Sequence, residues 1–245
     1  MVEWNTRSSQ KAMSQKLMRV QLPLSALMTW TSNLAYAVGL IVSDGCLSSD
    51  GRHITLTSVD RQLLNTFKEC LNRNCKISIN PKGGYSNKKV AYRVQFSDVK
   101  LYNWLLKIGV TPNKSLTIGL LKINLEYFRD FLRGHLDGDG SVIHYKDKYL
   151  THIKASYIYD RLFVYFISAS AEHLKWLRSQ ITLTKGLKGS ISKTVDFRTN
   201  KKGSSMYKLK FSTKEAKELL NWIYYKPNLP KLERKFKIAE PYLVK

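Results

Sequence analysis

LAYAVGLIVSDG, residues 34–45, is an apolar run of small and branched side chains with helical spacing that ends abruptly in Asp44-Gly45. FLRGHLDGDG, residues 131–140, repeats the plan 95 residues later, laying Gly134 over Gly39, Asp139 over Asp44 and Gly140 over Gly45. A single Asp-Gly after a helix reads as a cap and a tight turn. A carboxylate at a helix C-terminus nevertheless faces the negative end of the helix dipole. An unfavourable choice made twice calls for a reason.

The repeat extends outward. SVDRQLLNTF (58–67) aligns with SASAEHLKWL (168–177) at an offset of 110, Ser58 over Ser168, and YRVQFSD (92–98) aligns with YKLKFST (207–213) at 115. At that last offset Pro112-Asn113 falls on Pro227-Asn228. Order and spacing are kept along the chain, so the sequence is read as an internal duplication, with the extra residues of the second copy placed mainly in HYKDKYLTHIKASYIYDR, residues 144–161. The hydrophobic periodicities predict helix, strand, strand, helix, strand, strand, helix in each copy. In the first these cover residues 32–43, 46–49, 53–58, 60–72, 75–80, 91–97 and 98–109; in the second, 124–137, 141–146, 161–168, 170–182, 188–197, 206–212 and 213–225. Hairpin-length connections between the strands indicate an antiparallel α+β class. The expected organisation is an N-terminal extension over residues 1–30, a first half over 31–118 and a second over 119–245.

Charge narrows the function. Forty-one Lys and Arg against 18 Asp and Glu give a net charge of +23, a surplus that opposes compaction and points to a polyanionic partner, nucleic acid first. Apolar runs stay far short of the roughly 18–20 residues of a membrane span, so no membrane association is expected. Cys46, Cys70 and Cys75 are odd in number and lack CxxC spacing. That disfavours a disulfide framework or a zinc finger and fits a reducing compartment without secretion.

If the two helices pair through Ala37, Gly39 and Gly134, both carboxylates reach the same end of one interface. Adjacent carboxylates raise each other's pKa unless a positive charge stands between them. Mg²⁺ suits such a site, because it accepts few protein oxygens and completes its shell with water and phosphate. Next to a phosphodiester it can generate a nucleophile and stabilise the leaving oxygen. Asp44 and Asp139 are therefore the candidate metal ligands and catalytic residues for backbone cleavage.

AVGLIVSDG (37–45) and LRGHLDGDG (132–140) resemble the two motifs of a single-chain LAGLIDADG homing endonuclease, and the duplicated element order extends the resemblance over residues 30–245. It implies two pseudo-symmetric αββαββα halves with the motif helices paired at the core and two antiparallel sheets forming a DNA-binding saddle. It also implies a monomeric, intron- or intein-encoded enzyme that cuts both strands of a long asymmetric DNA site and leaves short 3′ overhangs. Mg²⁺ would be the cofactor, with Ca²⁺ or Mn²⁺ able to substitute. The motif's other acid position holds Val42 in one copy and Asp137 in the other, where Asp137 is expected to interact locally. The resemblance further implies a basic residue near the reacting phosphate. Lys114 is the first-half candidate and Lys231 the second-half one, since Leu229 occupies the aligned position; Lys235 is an alternative. Ser58 and Ser168 fall where relatives place a polar residue.

Strand alternation puts Arg93 and Gln95, and Lys208 and Lys210, on the polar sheet faces, where Arg and Gln read base edges and lysines hold phosphates. Ser48, Lys76 and Arg198 are further DNA-contact candidates, and the hairpin tips with Lys82, Lys88, Lys89, Lys201 and Lys202 would lengthen the footprint. His135, Trp104, Trp176 and Trp222 read as core, and His144 and His152 as hairpin residues. The rival function is a non-cleaving protein of the same fold, a maturase binding intron RNA or a DNA-binding regulator.

Overall fold

The computed structural model describes residues 28–80, 90–196 and 204–244. The first half comprises helix α1 (Ser32–Ser43), strands β1 (Gly45–Leu47) and β2 (His53–Ser58), α2 (Arg61–Cys70), β3 (Ile77–Asn80), β4 (Ala91–Ser97) and α3 (Val99–Lys107). The second follows with α4 (Phe128–Asp137), β5 (Ser141–Asp147), β6 (Tyr159–Ser168), α5 (Ala171–Lys185), β7 (Ser190–Asp196), β8 (Ser204–Ser212) and α6 (Thr213–Ile223). A short helix, α7 (Glu233–Ala239), was not expected from the sequence. Each half forms an antiparallel four-stranded sheet, ordered β1-β2-β4-β3 and β5-β6-β8-β7. The architecture is the αββαββα saddle duplicated about a central helix pair.

Helix α1 is capped by Thr31, whose Oγ1 accepts from the Leu34 amide at 3.1 Å, and nine consecutive residues from Leu34 to Val42 are buried. A helix apolar on every side belongs in the middle of a structure, and α1 lies between α4 and the first sheet. Gly39 and Gly134 decide how close the two helices come. A methyl group on Gly134 would sit 2.0 Å from the Tyr36 carbonyl oxygen, and one on Gly39 would sit 2.2 Å from that of Phe131. The pairing through small residues anticipated from the motifs is thus backbone against backbone.

The expected insertion lies where the sequence placed it. Strands β1 and β2 share three register pairs, whereas β5 and β6 share seven, from Ser141↔Tyr165 to Asp147↔Tyr159. The duplication also reaches backbone conformation. Asn113 and Asn228, the aligned residues of the two Pro-Asn pairs, both take left-handed φ, 54° and 58°. Ser58 and Ser168 each accept from the amide two residues on, at 3.1 Å, to turn the chain into the following helix.

The interior contains polar groups that the periodicities did not reveal. Arg133, fully buried, gives Nη2 to Asp130 at 2.8 Å, Nε to the Pro230 carbonyl at 2.8 Å and Nη1 to the Ile223 carbonyl at 2.9 Å. A buried charge is tolerated when its donors are matched in this way. His135 and His173 are also buried, with Nε2 atoms 3.0 Å apart. His173 Nδ1 lies 3.1 Å from the Gly119 carbonyl and donates to it, which leaves its Nε2 to accept from His135. Burial pushes His135 down to about 3 and His173 to about 4.

Those shifts give the protein an acid limit. Below the ordinary histidine pKa the unfolded chain takes up protons that the folded one refuses, so the pair's contribution to stability falls as pH drops from about 6.5 towards 4. At about pH 5 the loss is about 2 kcal/mol per histidine. Denaturant unfolding between pH 7 and 5 should show it, and His135→Leu should flatten the slope. An identical pH dependence of the midpoint in His135→Leu and the wild type would show that the pair is not buried in its neutral form.

Candidate active site and nucleic-acid interface

The ends of α1 and α4 meet at the two acidic residues. Asp44 is the C-cap of α1, and its amide donates to the Leu40 carbonyl. Asp139 follows α4 after Gly138, whose Cα closely faces the side chains of Ser43 and Asp44. The carboxyls of Asp44 and Asp139 are near enough for each to influence the other's charge. Packing of protein around both groups raises both pKa values, and the Asp139 charge lifts Asp44 further, to about 7. Asp44 is half-buried, and Asp139 keeps a face open to solvent. Gly45 and Gly140 hold this geometry, since a Cβ on either would stand 2.5 Å from the Ile41 Cα or 2.6 Å from the Leu136 carbonyl oxygen.

Two buried lysines flank the pair, one for each half. Lys114 Nζ donates to the Gly45 carbonyl. Lys235 Nζ lies 2.7–2.8 Å from the carbonyls of Leu136, Asp137, Gly138 and Gly140. Because Gly45 and Gly140 are equivalent, Lys114 and Lys235 are the symmetry mates. Burial pushes Lys235 down to about 8 and lowers Lys114 too, while Asp44 and Asp139 pull both upward. Lys231 is elsewhere. Its ammonium stands 3.5 Å from Glu233 and 4.4 Å from the centre of the Phe236 ring, so it does not take the second-half position.

Asp137 also departs from expectation. Instead of a local contact it accepts from Tyr36 Oη of the partner helix at 2.7 Å and from the Leu232 amide at 2.8 Å. Val42 is buried in the core. Among the described residues no group of three or more His, Cys, Asp and Glu side chains is placed to hold a metal. The two carboxyls are the available anionic donors, and their close approach is the repulsion that a divalent cation would relieve. Hard oxygens from the protein with solvent-open positions fit Mg²⁺.

The first sheet presents a polar face, whereas the second sets its lysines among apolar side chains. Arg93 and Gln95 stand across from Thr57 and Thr55 of β2, Gln95 is exposed, and Arg93 Nε has no protein partner. Lys76 is exposed just before β3, and Ser48 lies in the β1–β2 turn, where its carbonyl accepts from Tyr102 Oη at 2.6 Å. Lys208 and Lys210 lie across from Ile167 and Tyr165. Arg198 and the tip residues Lys82, Lys88, Lys89, Lys201 and Lys202 lie outside the described residues.

A family model described as LAGLIDADG-like domain matches residues 32–109. The fold is LAGLIDADG-like. The solved I-SmaMI meganuclease bound to uncleaveable DNA is 14% identical and covers 86% of this chain and 90% of its own, with a TM-score of 0.53. The I-LtrWI LAGLIDADG homing endonuclease bound to target DNA is 13% identical over 86% of this chain and 89% of its own, with a TM-score of 0.52. Full-length DUF199/WhiA from Thermatoga maritima is 14% identical over 89% of this chain, with a TM-score of 0.49, and this chain spans 64% of that protein's length. No curated protein matches. No helix among the described residues is long and apolar enough to cross a membrane.

Proposed function

We propose that this LAGLIDADG-like protein is a monomeric, metal-dependent endonuclease that cuts both strands of a long, asymmetric duplex DNA site, leaving short 3′ overhangs. One observation carries the reading: each half delivers one carboxyl to the end of a shared helix interface, and the two meet. A purely binding protein gains nothing from that costly juxtaposition. Asp44 and Asp139 would hold Mg²⁺, or Ca²⁺ or Mn²⁺ in its place. The ion would supply an activated water and neutralise charge on the phosphate. Lys114 and Lys235 hold the helix-end carbonyls and offset the two carboxylates, while Arg93 and Gln95 read base edges and Lys76, Lys208 and Lys210 grip phosphates. The non-identical halves, 31–118 and 119–245, impose no palindrome on the site.

The test is cleavage of a randomised duplex library with Mg²⁺ and with EDTA. Metal-dependent cutting at one long site supports the nuclease; enrichment by binding without cutting refutes it. The charge surplus adds an expectation for binding. If about 6–10 phosphates are neutralised, duplex affinity should fall by about 10³-fold or more between about 50 and 200 mM salt. A flat salt profile would contradict the saddle as the DNA surface.

A further inference from the structure

The two sheets differ in what they show to solvent. At the three aligned positions of the second strand, the first sheet presents His53, Thr55 and Thr57, across from Ser97, Gln95 and Arg93. The second presents Phe163, Tyr165 and Ile167, across from Ser212, Lys210 and Lys208. Ile143 and Tyr145 of β5 extend the patch and are 43% and 48% exposed. Three rings run across it, with Phe163 centred 6.1 Å from Tyr145 and 5.9 Å from Tyr165. Lys210 Nζ lies 4.1 Å from the Phe163 ring centre and Lys208 Nζ lies 5.0 Å from that of Tyr165.

We infer that this face is a stacking platform for the unpaired bases of single-stranded RNA. The reasoning is one of surface chemistry. Base edges in a duplex groove are polar, so an aliphatic and aromatic patch pressed on them would strip their water without replacing the hydrogen bonds. The faces of unpaired bases are apolar and stack on aromatic side chains, and a four-stranded sheet carrying two or three rings is a proven geometry for that contact. Lys208 and Lys210 stand where a strand crossing the rings would carry its phosphates. Ser192 and Ser190, exposed on β7 directly across from those lysines, offer hydroxyls to 2′-OH groups, the feature that separates RNA from DNA. The platform is independent of the carboxylate pair and overlaps the duplex surface of the second half, so RNA and duplex should compete for it.

The experiment uses the full chain with an unstructured labelled RNA oligonucleotide, the same sequence as single-stranded DNA, and the duplex. 2-Aminopurine in the RNA reports stacking through quenching. Phe163→His, Tyr165→Thr and Ile167→Thr together give the second sheet the residues its first-half counterpart already accommodates, with Tyr165→Thr alone as a milder version. RNA binding with quenching, weakened about tenfold or more by the swap with a clearly smaller loss for the duplex, is expected. An RNA affinity indifferent to both variants, or binding without quenching by the wild type, overturns the platform. Equal loss for RNA and duplex overturns it in favour of apolar contacts to thymine methyls. Equal binding of the two single strands overturns the assignment to RNA. Duplex cleavage is scored separately, so failure here leaves the nuclease reading untouched.

Discussion

Asp44→Asn and Asp139→Asn should each reduce metal-dependent duplex cleavage by at least about a hundredfold. Loss of groups that merely orient metal ligands costs about 10–100-fold, and these substitutions remove the charge of a proposed ligand itself. Duplex affinity should persist, because the sheet residues proposed to grip DNA are unaltered. Stability supplies a second readout of opposite sign. Asp44 has a folded pKa near 7, above its ordinary 3.8. The folded protein therefore holds a proton that the unfolded chain releases, and the Asp44 contribution to stability declines as pH rises from about 4 to about 7. Above that window, without metal, Asp44→Asn should melt higher than the wild type. A variant that loses cleavage and also melts lower would make the carboxyl a structural group.

Gly134→Ala should destabilise the protein by about 3 kcal/mol or more, the upper range for overpacking, and lower the melting temperature by roughly 6–12 °C for a chain of this size. The added methyl would collide with the Tyr36 carbonyl and the Gly39 Cα, at 2.0 and 3.2 Å. These are backbone atoms of a buried helix, with no rotamer to change. Gly51 is the control: its φ is +78°, and nothing lies within 4 Å of an added Cβ. Alanine there costs only the strained backbone conformation, about 1 kcal/mol. Similar effects at the two sites would mean that the helices do not cross where the structure places them.

The motif repeat made the architecture legible because its constraint is local in sequence: the glycines and acids sit at matching offsets and do the same work twice. The sequence leaves the second-half lysine open between Lys231 and Lys235, because the spacing changes after Asn228. Lys114 follows Asn113 immediately, whereas Lys235 is delivered by α7, a seven-residue helix whose pattern is too short to announce itself. The hydrophobic face of the second sheet was hidden differently. FVYFI, residues 163–167, is apolar throughout, and such a run reads as a strand buried on both sides. Only the register shows that Val164 and Phe166 turn inward while Phe163, Tyr165 and Ile167 turn out. The buried Arg133–Asp130 pair had no legible signal, since its other partners lie about 90 residues away.

The Tyr36–Asp137 hydrogen bond makes the two motif helices complementary to each other and not to themselves. Were α1 to pair with α1 of a second molecule, Tyr36 would find Val42 where Asp137 now stands. Were α4 to pair with α4, Asp137 would find Phe131 in place of Tyr36. Either homotypic union strands a buried polar group, at about 1–3 kcal/mol each and more for a charged one. The bond therefore acts as a mating key that favours the α1–α4 pair over either homotypic one.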